Sequence, residues 1–204
     1  EVTEDERSPF VDRRELRAFY LDGFAHYYYR RNKGNAALDY AQKALRLHMQ
    51  LGQWVHAAQT TLHVAAILYK LQRYDDCLRK LGKILVMVER GQLEDGGVSS
   101  QKIALVAVCY HNVAVTQLNL GQFQEACIAS QNGRRLARLS LAYSNRWVEH
   151  MEYTHKMALA ALCREQEFAD VLRAQQAAGK KTGKAVPEPT TVHLSRELTA
   201  TMFT

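Results

Sequence analysis

The sequence predicts an all-α protein, on three observations. The only prolines are Pro9, Pro187 and Pro189, so between Phe10 and Val186 no ring removes a backbone donor from a helix interior. Strictly alternating runs of β-branched residues, the mark of half-buried strands, are absent. Apolar residues instead recur every three or four positions, as one face of a helix requires. With 204 residues, 47% of them hydrophobic and 24% charged, the chain has enough apolar material to bury a sizeable core.

Residues 1–8 (EVTEDERS) are acidic and lack periodicity. Ser8-Pro9 is a start signal, and Asp12 with Glu15 has the spacing of a capping box, in which each end of the first turn satisfies the other's backbone donor. Leu16, Phe19, Tyr20, Phe24 and Tyr27 then follow at helical spacing up to a turn at Asn32-Lys33-Gly34-Asn35. Ala37, Leu38, Ala41, Ala44, Leu45 and Leu47 mark a second helix closed by Gly52. A third is expected from about Trp54 to Leu71, a hairpin at Arg73-Tyr74-Asp75-Asp76, and a fourth helix to Glu89. The glycines and serines of 91–100 (GQLEDGGVSS) make a loop with Ser99 or Ser100 as the next N-cap. Helices are expected over Gln101–Leu120 and Gln122–Leu141. A seventh, capped by Ser144 or Asn145, should reach about Arg164, and an eighth, shorter one should cover Glu167–Ala178. Residues 179–204 are polar, basic and proline-containing, and read as an extended tail.

The stretch Tyr110–Gly133 (YHNVAVTQLNLGQFQEACIASQNG) is the most informative. Tyr110 precedes the pair Val113-Ala114 by one helical turn. Asn119-Leu120-Gly121-Gln122 supplies a turn, and Phe123 and Ala126 open a second amphipathic run. Two antiparallel helices need small residues where they cross closely and a glycine near the turn. Aligned on the residue that opens each second helix, the chain repeats: Ala37, Cys77, Ala126 and Val171, in steps of 40, 49 and 45 residues. Three positions earlier stand Gly34, Tyr74, Phe123 and Phe168, and the first helices carry Ala25, Ala65, Ala114 and Leu159 at their crossing position.

These residues resemble the tetratricopeptide repeat family, and the resemblance spans residues 12–178. The steps exceed the family's usual length of about 34 residues and are similar to the long-helix variety of cytoskeletal and ciliary repeat proteins such as kinesin light chains. The resemblance implies a right-handed α-solenoid of about four helical hairpins, eight helices in all, with an extended C-terminal tail. The expected organisation is an acidic segment over 1–8, a repeat domain over 9–178 and a basic tail over 179–204. The repeats fall at 9–51, 53–90, 100–141 and 145–178, with a loop at 91–100. The fourth unit departs furthest from the pattern. Its polar run of Arg164, Glu165, Gln166, Glu167, Arg173, Gln175 and Gln176 suits the outer face of a terminal cap.

In the family the first helix of each repeat lines a concave groove that holds an extended or helical peptide. Carried onto this chain, the groove comprises Asp22, His26, Tyr29, Gln59, Leu62, Tyr69, His111, Val115, Asn119, Lys156 and Ala160. Members that clamp a terminal carboxylate use Lys and Asn at such positions. Asp22 and His26 stand there in this chain, and Asp22 repels a carboxylate, which argues against a chaperone-tail adaptor. Within the run Tyr27-Tyr28-Tyr29, Tyr27 is expected in the core, Tyr28 at the hairpin and Tyr29 in the groove.

A formal charge of +6 permits acidic partners. The cations concentrate on second helices: Lys43 and Arg46; Arg79, Lys80 and Lys83; Arg134, Arg135 and Arg138. They form a candidate basic stripe on the convex side, suited to an acidic surface such as tubulin. Nucleic acid is the alternative anion, but aromatic stacking platforms are not interleaved with these cations.

Chemistry has little foothold. His150 and His155 are five apart and face differently, as do Cys109 and His111. Neither pair makes a metal or nucleophile site, and no Gly-rich phosphate loop is present. The cysteines Cys77, Cys109, Cys127 and Cys163 are scattered singly and read as reduced thiols. No apolar run reaches about 18 residues, and there is no signal-peptide pattern, which fits a cytoplasmic location. The expectation is a non-catalytic protein–protein interaction scaffold without cofactor or metal. Its place is in a large cytoskeletal assembly, a ciliary or microtubule-associated one above all. The alternative is a nucleic-acid adaptor working through the basic stripe.

Overall fold

A computed structural model describes residues 13–93 and 99–182, with the backbone alone over 177–182. Among the described residues all regular structure is helical: α1 (Arg13–Arg30), α2 (Gly34–Gln50), α3 (Trp54–Lys70), α4 (Tyr74–Glu89), α5 (Ser100–Asn119), α6 (Phe123–Ser140) and α7 (Arg146–Thr182). They form two compact units, α1–α4 and α5–α7, that part within the expected loop.

In the first unit consecutive helices pack against each other, and α1 also touches α3. Contacts between α1 and α2 run in opposite chain directions, Phe24 and Tyr28 meeting Tyr40 while Phe19 and Asp22 meet His48. Contacts between α1 and the α3 segment run in the same direction. Glu15 meets Gln53 and Asp22 meets Thr60, each 38 residues on, and Tyr29 meets Lys70, 41 on. In the second unit α6 packs against both α5 and α7, and α5 against α7.

One connector is used five times. Asn32 (φ 58°), Gly52 (67°), Gln72 (59°), Gly91 (67°) and Gly121 (73°) each take the left-handed conformation just past a helix. The residue after each donates its backbone N–H to the carbonyl five positions back, as Gln53 does to His48 at 2.9 Å. This is the Schellman closure, which satisfies otherwise orphaned carbonyls. The hairpin expected at 73–76 is therefore corrected to 71–73. Gln72 sits where glycine is favoured, so composition hid the turn, and Tyr74 already belongs to α4.

The aligned positions divide sharply. Ala25, Ala65 and Ala114, and Ala37, Cys77 and Ala126, are all fully buried at helix crossings. At Gly133 the helices meet backbone to backbone: an added Cβ would lie 3.1 Å from the Ala107 carbonyl oxygen and 3.3 Å from the His111 nitrogen. The fourth set fails. Leu159, Phe168 and Val171 are exposed, and the expected seventh and eighth helices are one 37-residue helix. No Gly or Pro interrupts Cys163–Asp170, and Arg, Glu and Gln are strong helix formers, so nothing ends the helix there. Eight helices and a fourth hairpin are thus corrected to seven helices among the described residues. α7 also runs past the expected tail boundary to Thr182; Asp12, residues 1–8 and 183–204 lie outside the described residues.

The two expected serine or asparagine caps are resolved to single residues. Ser99 Oγ accepts from the Lys102 backbone N–H, and Asn145 Oδ1 from that of Trp147.

Candidate functional site

The side of α1 that faces α2 and α3 carries a polar seam. Gln53 donates its amide N–H to Glu15 Oε1 at 2.7 Å, which leaves Gln53 Oε1 towards His48 Nδ1 at 2.8 Å. His48 Nε2 lies 2.9 Å from Asp22 Oδ2, and the Thr60 hydroxyl donates to the same carboxylate. His63 stands 4.0 Å from Asp22 Oδ1. Both partners of the His48 ring are acceptor oxygens, an arrangement that favours the doubly protonated form of this wholly buried imidazole, with Asp22 in direct contact and Glu15 behind Gln53. Burial pulls its pKa down, but the hydrogen bonds it donates to Asp22 and Gln53, with the charges of Asp22 and Glu15, outweigh that and raise it above the usual imidazole value. Phe19 packs edge-on against His48 and His56, sealing the seam.

Asp22 is therefore committed to holding three helical segments together rather than to a groove ligand. Other groove candidates are also accounted for. Leu62, Val115 and His111 are buried to 0–1% exposure, so the expectation that they meet a peptide is corrected. All three lie mid-helix on the apolar side, where repeat alignment cannot separate groove-facing from core-facing positions. Tyr29 lies half-buried beneath the Lys70 ammonium, 4.5 Å from its ring centre, and burial raises its phenol pKa. Gln59 faces His56, and Tyr69 packs against Tyr74. Asn119 is exposed, its amide donating to the Val115 carbonyl. His26 and Ala160 are half-buried. Lys156 is exposed at an open depression of about 680 Å³ between Tyr143, Val148, Glu149 and Tyr153. Tyr27, expected in the core, is 50% exposed, its ring edge-on to Tyr28 and beneath the Arg31 guanidinium.

The basic positions fall into two kinds. Lys43 pairs with Asp39 at 2.6 Å, Arg79 with Asp76, and Arg134 and Arg138 clasp Glu152 at 3.3 and 2.5 Å. Arg46, Lys80, Lys83 and Arg135 have no ion-pair partner among the described residues. Burial, then the neighbouring Lys83, lowers the Lys80 pKa, against the opposing charge of Asp76. Beside Lys43, Tyr40 stacks flat on Tyr28, with ring centres 5.3 Å apart and a 6° tilt. This cation-flanked aromatic pair corrects the expectation that none is interleaved with the basic residues. The sequence signal was there: Tyr28 and Tyr40 bracket the first hairpin.

The second unit has a histidine seam of another kind. His111 meets Trp147, His150 and the Thr154 hydroxyl (3.3 Å), and Ser130 Oγ lies 2.9 Å from His155 Nδ1. Burial lowers the pKa of His150 and of His155, with Arg146 and Arg134 respectively adding to it. No group of three or more His, Cys, Asp or Glu among the described residues is disposed to hold a metal ion. None of their helices is long and apolar enough to cross a membrane. No known family model matches the chain, and neither does any curated protein.

Proposed function

We propose that this chain is a non-catalytic helical-repeat scaffold of tetratricopeptide type that binds proteins through exposed faces of its helices. The carrying observation is the parallel pairing of α1 with α3 at an offset of 38 residues, Glu15 with Gln53 and Asp22 with Thr60. An offset of one repeat step between like helices is what stacking of equivalent hairpins produces. The buried equivalents Ala25, Ala65 and Ala114 support the same reading. The partner class is a protein with an acidic surface, engaged by Arg46, Lys80 and Lys83 of the first unit. Long repeats and net positive charge favour a cytoplasmic cytoskeletal assembly, with the acidic tails of tubulin in a cilium as the specific candidate.

Co-sedimentation with microtubules tests this. The chain should pellet with intact microtubules and far less with microtubules whose acidic tails have been trimmed. Arg46→Glu with Lys83→Glu, both at exposed positions, should weaken pelleting without changing thermal unfolding. Failure to pellet at low salt would remove the tubulin reading.

The Tyr28–Tyr40 stack beside Lys43 favours a second reading, single-stranded nucleic acid, since stacked rings flanked by cations suit unpaired bases. Anisotropy with a poly-uridine oligonucleotide separates the two. Binding that falls steeply with salt and is weakened by Tyr40→Ala supports this second reading, and no binding at low salt removes it.

A further inference from the structure

α1 presents two unlike sides. One buries Ala18 and Ala25 and turns Glu15 and Asp22 inward to Gln53, His48 and Thr60. The other carries Leu16, Tyr20, Phe24 and Tyr27, spaced so that they form one stripe, at 46, 61, 49 and 50% exposure, with one edge of Phe24 also touching Tyr40 of α2. A shallow depression of about 300 Å³ follows the first half of that stripe, with Arg13 and Arg17 at its rim. At the other end stand Arg30 and Arg31, the Arg31 guanidinium 5.3 Å from the Tyr27 ring centre. Arg13, Arg17, Arg30 and Arg31 have no carboxylate partner among the described residues. An aromatic stripe is thus bracketed by cations, while the helix's own acids face the opposite way.

We propose that this side of α1 docks an amphipathic helix from another protein, with a leucine-rich face and acidic residues at both of its ends. From Leu16 to Tyr27 the stripe is about 17 Å long at ~1.5 Å per residue, so an occupant of three to four turns covers it. Apolar anchors at i, i+4 and i+7 meet Leu16, Tyr20, Phe24 and Tyr27, as in helix-in-groove recognition. The charges select the occupant. A second copy of this chain would set Arg13 and Arg17 against Arg30 and Arg31 in antiparallel packing, or against themselves in parallel packing, and either juxtaposition of like charge is repulsive. An acid-ended helix instead meets a cation at each end. The inference does not depend on the groove or on the repeat reading.

The test uses the full chain and two labelled peptides of about 18 residues, each with the same leucine stripe, one ended by glutamates and one by lysines. By fluorescence anisotropy the glutamate-ended peptide should bind at least about tenfold more tightly, and added salt should narrow the gap. Tyr20→Ser with Phe24→Ser should weaken it by about tenfold or more. Arg13→Glu with Arg17→Glu, at exposed positions, should erode the preference for the acidic peptide without loss of fold. Equal binding of both peptides, binding of neither, or a dimer in sedimentation equilibrium that the Tyr20 and Phe24 changes abolish would each overturn the proposal.

Discussion

The two units carry histidines in comparable places, on the seam between neighbouring helices, yet shift their protonation in opposite directions. In the first, buried His48 meets Asp22 directly and Glu15 through Gln53, and its pKa is raised. In the second, burial and then the nearby Arg146 and Arg134 lower the pKa of His150 and of His155 respectively. Burial opposes the charged form in both units, so it cannot be the deciding factor. What differs is the sign of the neighbouring charge and whether both ring nitrogens face acceptors. One helical design therefore gives a first seam clamped by charge and a second closed by neutral packing and hydroxyl hydrogen bonds.

The sharpest way to break the comparison is to remove one side of the first clamp. Asp22→Ala strands the His48 imidazolium and the Thr60 hydroxyl in a covered seam. Breaking a buried ion pair from one side costs about 3–5 kcal/mol. Chemical denaturation of the purified variant should show a loss of that order, and a change below about 1 kcal/mol, the value of an exposed pair, would mean the clamp is not what joins α1 to α2 and α3. The matching change in the second unit is steric. Gly133→Val places a branched side chain 3.1 Å from a backbone oxygen of α5, where overpacking costs about 1–3 kcal/mol. Wild-type stability in this variant would show that α5 and α6 can part more readily than their packing implies.

The comparison sharpens with pH. His48 holds its proton more tightly folded than unfolded, so its stabilisation is complete below about pH 6.5 and is lost as pH rises through its raised folded value. The groups facing it are Glu15 and Asp22 from α1, Gln53 and His56 from the start of α3, with His63 beyond Asp22. His150 and His155 bind protons less tightly folded than unfolded. Their effect is absent well above pH 6.5 and becomes destabilising as pH falls from there towards their lowered folded values. An NMR titration of the ring protons should therefore find His48 titrating above about 6.5, and His150 and His155 below it. His48→Gln should remove the loss of stability on the alkaline side and leave the acid side unchanged. Titration of all three on the same side would contradict the assignment.

Much of the fold was legible in the residues, and the reasons it stopped being legible are local. Helix positions followed from apolar spacing, and the crossings from Ala25, Ala65 and Ala114, because only small residues let helices approach closely. The turn at Gln72 was missed because a residue with a Cβ occupies the left-handed position. The continuous α7 was missed because repeat alignment assumed a break where Arg164–Glu167 provides no breaker. The polar seam was misread for a deeper reason. Repeat alignment puts Asp22 in the groove, while its partners His48 and Thr60 lie 26 and 38 residues away on other helices. The recurrence of 38 in Glu15–Gln53 was readable only once like helices were known to lie parallel.

The smallest expected effect tests whether neighbouring charge alone tunes the second seam. Glu152 receives Arg134 and Arg138 and is the one acid that raises the His155 pKa against burial and Arg134. Glu152→Gln removes that charge while keeping the side-chain shape. Stability should fall by no more than about 1 kcal/mol, because the pairs are partly exposed and screened by water. The His155 pKa should nonetheless fall further, since only the opposing cation remains nearby. An unchanged His155 titration would mean that its hydrogen bond to Ser130 and its burial set the charge state. The contrast between the two seams would then rest on their donors and acceptors, with the arginines as bystanders.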